Sequence, residues 1–124
     1  MKTRTRERQG GFTLIEIIAV LVILAVLAAV AIPRYISLID DARTQALEGA
    51  VAAGMSHVSL AYGRLCLQNG SEPTAEEVAD EATASPPQSA DYTITFAETA
   101  TGVDVTASET ADATMTVTRS WMMP

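Results

Sequence analysis

Glu16 is the only formally charged residue between Phe12 and Ile32, a run of 21 residues otherwise built from Val, Ile, Leu, Ala, one Phe and one Thr. A carboxylate in such a setting is costly and marks function rather than packing. The chemistry open to it is ion pairing with a cation where water is scarce. Directly before the run stand Gly10 and Gly11, and ahead of them a leader with Lys2, Arg4, Arg6 and Arg8 against Glu7.

Other reactive residue types are few. Cys66 is the single cysteine, so no disulfide can form within the chain, and it reads as a small buried hydrophobe on a helix. His57 is the single histidine and lies beside an apolar stripe. There is no G-x-S-x-G, no Cys–His pair, no metal-ligand spacing, and no lysine beyond the leader. No enzymatic activity, metal or cofactor is expected. From Phe12 onward four arginines face fourteen acids, a net charge of −10. So acidic a body is unsuited to nucleic-acid binding, which depends on phosphate neutralisation.

The elements that position Glu16 follow from hydropathy. Residues 12–32 span roughly 32 Å as a helix at about 1.5 Å per residue, enough to cross a hydrocarbon core of about 30 Å. The basic leader before the run and Asp40–Asp41 after it predict the N-terminus inside and the body outside. An ordinary secretory signal has a shorter apolar stretch of about 7–15 residues, although Ala28-Ala29-Val30-Ala31 offers small-residue cleavage territory. A plain signal anchor accounts for the length. Neither accounts for Glu16, or for glycines placed before the run instead of after it.

Gly11 followed by Phe12-Thr13-Leu14-Ile15-Glu16, an apolar run and Pro33 resembles the N-terminus of the type IV pilins and type II secretion pseudopilins. Strictly, the resemblance covers residues 1 to about 36. It implies cleavage between Gly11 and Phe12 by a prepilin peptidase, N-methylation of Phe12, and assembly through Glu16, the fifth residue of the mature chain. The implied partners are that peptidase, an inner-membrane assembly platform, the membrane before assembly, and copies of the chain itself in a helical filament. The implied location is the inner membrane in a single pass, and later an extracellular filament. Residues 33–43, with Pro33-Arg34-Tyr35 and Asp40-Asp41-Ala42-Arg43, more loosely resemble the mannose-sensitive haemagglutinin branch of these pilins. Two departures stand out. Ala25 occupies a position where many relatives have glycine, which puts unwinding between Ala25 and Pro33 in doubt, and the cysteine pair that staples many relatives is absent.

The physical case for Glu16 stands beside the resemblance. A newly cut α-amine has a reference pKa of about 7.7–8.0 and is largely protonated at neutral pH. A cation at a helix N-terminus is disfavoured by the macrodipole, and an acid in the first turn is favoured. Glu16, four residues after Phe12, can reach its own amine. The resemblance implies instead the amine of a neighbouring copy.

Pro33 removes a backbone donor and is expected to kink the helix. Beyond it Leu47, Val51, Met55, Val58, Tyr62 and Leu65 recur at helical spacing as one apolar face. Ala46, Ala50 and Ala53 sit beside that face and permit close approach, and Gly49, Gly54 and Gly63 read as sites of close packing. Asn69-Gly70 stops the helix. Residues 68–90 form a loop holding a capping box, Thr74 to Glu77, that starts a short helix through Ala82. Its acids Glu72, Glu76, Glu77, Asp80 and Glu81 read as a solvated face.

After Pro86-Pro87 the pattern shifts to period two. Tyr92, Ile94 and Phe96, then Val103 and Val105, then Met115 and Val117 alternate mainly with polar residues, with turns at 100–102 and 109–112. The segments are thus a leader (1–11), a transmembrane or filament-core helix (12–32), an amphipathic helix (33–67), a loop (68–90) and an antiparallel sheet (91–124). The fold class is α+β, a long N-terminal helix packed on about three antiparallel strands, with Trp121 capping the core. The leading function is a structural subunit of a type IV pilus. A type II secretion pseudopilin is the alternative, and a signal-anchored binding domain is a third and weaker one.

Overall fold

The computed structural model describes residues 10–124. The basic residues of the leader lie outside the described residues. Five elements follow in order: α1 (Leu14–Asn69), α2 (Ala75–Ala84), β1 (Tyr92–Thr99), β2 (Gly102–Glu109) and β3 (Thr116–Met122). The chain divides into two compact units, with the boundary between Ile39 and Asp40.

In the first unit no residue from Gly10 to Ile39 is buried, and Phe12 is 87% exposed. The helix holds an 18-residue window of mean hydropathy 3.1, long and apolar enough to be a candidate membrane span. It starts two residues later than the apolar run, leaving Phe12 and Thr13 outside it. Helical structure continues through Ala25 and past Pro33 without a break.

The second unit is a small α+β head. The strands form one antiparallel sheet in the order β1-β2-β3. Its register brings Ile94, Ala107 and Val117 into one row and Phe96, Val105 and Arg119 into the next. Because side chains alternate across a strand, these rows turn one face toward α1. There Leu47, Ala50, Val51, Val58 and Ala61 join Ile94, Val103, Val105 and Ala107 in the core. Met55, Tyr62, Leu65 and Trp121 pack against it, partly buried. The opposite face carries Thr93, Thr95, Thr106, Ser108, Thr116, Thr118 and Ser120, with the Thr106 and Thr118 hydroxyls 2.8 Å apart.

Polar contacts fasten residues 40–69 of α1 to the sheet. The Trp121 indole N–H donates to Ser59 Oγ at 2.9 Å, Arg119 donates to Glu48 at 3.3 Å, and Arg43 lies 3.8 Å from Glu109. These contacts are largely exposed, so each ion pair adds at most about 1 kcal/mol, and apolar burial dominates.

Thr74 caps α2 with its side chain accepting from the Glu77 amide while Glu77 accepts from Thr74, the expected capping box. Val78, Ala79 and Ala82 are buried, and the helix runs two residues beyond Ala82. α1 ends at Asn69, where Gly70 adopts φ +67° and donates to the Cys66 carbonyl at 3.1 Å. That left-handed conformation favours glycine.

Three local expectations are corrected. The second turn is longer than 109–112, because the Asp112 carboxylate accepts from both the hydroxyl and the amide of Thr114, at 2.6 and 3.0 Å. Those bonds hold the Asp112 carboxyl below the usual carboxylate range, and β3 begins only at Thr116. Ala46 and Ala53 are exposed, and only Ala50 of that trio is buried. Of Gly49, Gly54 and Gly63, only Gly54 sits in tight packing: a Cβ there would lie 2.5 Å from Val105 Cγ1 and 3.1 Å from Ile94 Cγ2.

Val105 is fully buried and β-branched, so it has no free rotamer with which to yield. Gly54→Val is therefore expected to destabilise the head by about 1–3 kcal/mol through overpacking. Gly49→Ala, with open space around the new methyl, is expected to stabilise it by up to about 1 kcal/mol. Thermal unfolding of the full chain in detergent micelles, followed by circular dichroism, checks both signs.

Candidate assembly site

The start of α1 is built by two residues acting on each other. Thr13 donates its amide to Glu16 Oε2 at 2.6 Å and its hydroxyl to the same oxygen at 2.9 Å. In return the Glu16 amide donates to Thr13 Oγ1 at 3.4 Å. The first helical bond follows, from the Ile17 amide to the Thr13 carbonyl at 3.3 Å. This is capping-box geometry, a Thr three residues before a Glu, each satisfying the other's backbone donor. It closely repeats the Thr74–Glu77 arrangement, whose corresponding distances are 2.8, 3.2 and 3.3 Å.

Thr13 is the site residue that the charge-led reading of Glu16 overlooks. Its signal is plain in Thr13-Leu14-Ile15-Glu16, the same T-x-x-E spacing recognised at residues 74–77. The geometry gives Glu16 a local task, which is to close the first turn. Both bonds that its carboxylate accepts from Thr13 fall on Oε2, and the other carboxylate oxygen, Oε1, makes no hydrogen bond among the described residues.

The remaining site residues lie where a processing enzyme could reach them. Gly10, Gly11 and Phe12 are exposed and precede the helix, and a Cβ at either glycine would meet nothing within 4 Å. The Gly11–Phe12 peptide bond is thus outside regular structure and uncovered. Phe12, Ile17, Val20 and Leu21 line an apolar groove beside Glu16. Between Phe12 and Ile39 the charged residues are Glu16 and Arg34, both exposed. The head brings its own reactive residue types into no comparable arrangement. His57 faces Phe96 with ring centroids 5.9 Å apart. Cys66 is a partly buried free thiol, and among the described residues no group of three or more His, Cys, Asp or Glu is placed to hold a metal ion.

Comparison with known proteins adds to this geometry. The family model of the prokaryotic N-terminal methylation motif matches residues 6–32. The chain is 38% identical over 71 residues to the type IV narrow pilus major component PilA5 of Thermus thermophilus, which covers 57% of this chain and 58% of that protein. It is 36% identical over 72 residues to the type II secretion system core protein G of Pseudomonas aeruginosa, covering 58% of this chain and 48% of the relative. With the type IV major alpha-pilin of Moraxella bovis it shares 43% identity over 53 residues, 43% of this chain and 33% of the relative. The chain spans about half the length of the curated relatives it matches. No solved structure matches it. The motif and these relatives make the chain similar, over its N-terminal part, to type IV pilins and to a type II secretion core protein.

Loss of a threonine cap typically costs about 1 kcal/mol. Thr13→Val should therefore fray the first turn and speed amide exchange at Glu16 and Ile17 roughly fivefold in micelles, while Thr13→Ser should restore protection. Unchanged exchange in Thr13→Val would mean that the cap does not hold the helix start.

Proposed function

We propose that the chain is a structural subunit of a type IV pilus, made as a membrane-anchored precursor, cut between Gly11 and Phe12 by a prepilin peptidase, and N-methylated at Phe12. Before assembly it sits in the inner membrane in a single pass with its N-terminus in the cytoplasm, the basic leader favouring that side. An inner-membrane assembly platform then moves it into an extracellular helical filament of its own copies. The observation that carries this reading is the single carboxylate, Glu16, in the first turn of an exposed apolar helix directly after an open Gly11–Phe12 bond.

Cleavage converts the Phe12 amide into a cation at a helix start, where the dipole disfavours it. Glu16 is the nearest anion, and with Thr13 occupying Oε2 its second oxygen remains for the amine of a neighbouring copy. Such a contact is head-to-tail, and head-to-tail contacts that fail to close produce filaments. Pro33 is where we place a bend in the helix, since its ring removes one donor and crowds the preceding turn. The match to a type II secretion core protein keeps a second reading alive, a pseudopilin with the same processing and docking but no surface display. The likeness of residues 33–43 to a pilin branch favours the pilus.

Two substitutions test the account. Gly11→Leu should block processing and leave a full-length precursor on a gel. Glu16→Ala should be inserted and cleaved normally yet fall at least tenfold in sheared filaments, because an amine left unpaired in an apolar contact costs about 3–5 kcal/mol. Wild-type filament yield from Glu16→Ala would remove Glu16 as the docking group. Recovery of the wild-type subunit solely from membranes would favour the pseudopilin.

A further inference from the structure

The described residues hold four arginines, and three are engaged within the head: Arg43 lies 3.8 Å from Glu109, Arg64 2.7 Å from Glu81, and Arg119 3.3 Å from Glu48. Arg34 is exposed and has no carboxylate within 4.0 Å among the described residues. A helix offers ion-pair partners three and four residues away. For Arg34 those are Val30, Ala31, Ser37 and Leu38, none of them acidic. Asp40 and Asp41, further along α1, are exposed and likewise make no ion pair among the described residues. Arg43, one turn after Asp40, is drawn to Glu109 instead.

We propose that Arg34 of one copy pairs with Asp40 and Asp41 of the next copy in the filament, as a second electrostatic lock alongside the amine–Glu16 contact. The proposal rests on the assembly reading above. The two cation–acid pairs have similar axial offsets. Phe12 and Thr13 lie outside the helix, where a residue spans up to about 3.3 Å, and Leu14 begins it at about 1.5 Å per residue. The Phe12 amine therefore stands up to about 10 Å before Glu16 along the axis. Arg34 precedes Asp40 and Asp41 by six and seven residues, about 9–10 Å of helix. In both pairs the cation comes first. An axial shift of about 9–10 Å of one copy toward its own N-terminal end thus sets Asp40 and Asp41 beside Arg34 of its neighbour and, where Phe12 and Thr13 are extended, Glu16 beside the neighbour's amine.

Adjacent helical residues point about 100° apart, so the Asp40–Asp41 pair presents carboxylate over a broad sector. Arg34, long and forked, can engage either acid or bridge both. Packing apolar helices side by side withdraws water from Arg34, and an unpaired cation there would oppose assembly. The pair therefore fixes how far one copy slides along the next.

Charge reversal in cells making the full-length chain tests this. Arg34→Glu alone, and Asp40→Arg with Asp41→Arg, should each leave cleavage and membrane insertion intact and lower sheared filament yield roughly tenfold. Co-expressing the two variants should restore filaments, since alternating copies then meet opposite charges. Rescue by mixing cannot come from a pair within one chain. Wild-type yield from Arg34→Glu, or no recovery on co-expression, would overturn the proposal. Wild-type yield from Glu16→Ala in the same assay, with Arg34→Glu still defective, would strike the amine docking and leave this contact standing; a wild-type chain that forms no filament would remove both.

Discussion

An unpaired charge in an apolar surrounding is the constraint on which everything else in this protein depends. Glu16 sits where a leucine would serve a membrane helix better, and hydrocarbon cannot solvate its carboxylate. Within its own chain the cost is partly offset by Thr13, whose amide and hydroxyl both reach Oε2. The remaining capacity makes the helix start receptive to a cation. Cleavage at Gly11 would create that cation one residue before Thr13. Chemistry and assembly would then be linked by a single covalent event.

The two units divide the work. The apolar stretch before Asp40 is exposed throughout, as the proposed passage from lipid into a filament requires. From Leu47 onward the same helix buries one face beneath the sheet, and Gly54 allows Val105 and Ile94 to come close. The head is held by small aliphatic residues, with polar clasps at Ser59–Trp121 and Glu48–Arg119. Its arginines are taken up by its own acids, which leaves the head strongly anionic. Copies would therefore approach against charge repulsion, and specific cation–anion contacts near α1 would matter more than they would in a neutral subunit.

Much of this architecture could be read from residue order. The 3.6-residue spacing from Leu47 to Leu65 and the period-two alternation from Tyr92 to Val117 identified the two apolar faces, and α2 adds Val78, Ala79 and Ala82 to the core they form. Closer detail was less legible, for physical reasons. Periodicity names a face but not the point of nearest approach, so Ala53 and Gly54 looked equivalent until the sheet was placed. The turn before β3 lengthened because one side chain, Asp112, captures Thr114, an interaction that composition does not rank above other polar pairs. Ion pairs such as Glu48–Arg119 join residues distant in sequence and follow only from the register. At the site, Glu16 was conspicuous through its charge, and that same conspicuousness hid Thr13, an uncharged residue whose capping role lies in a four-residue pattern.

The most direct test of the central claim is the mass and N-terminus of the subunit recovered from sheared surface filaments. The account predicts a chain that begins at Phe12 and carries one added methyl on its α-amine. A filament subunit that retains Gly11 and the leader, or a cut at any other bond, would contradict it.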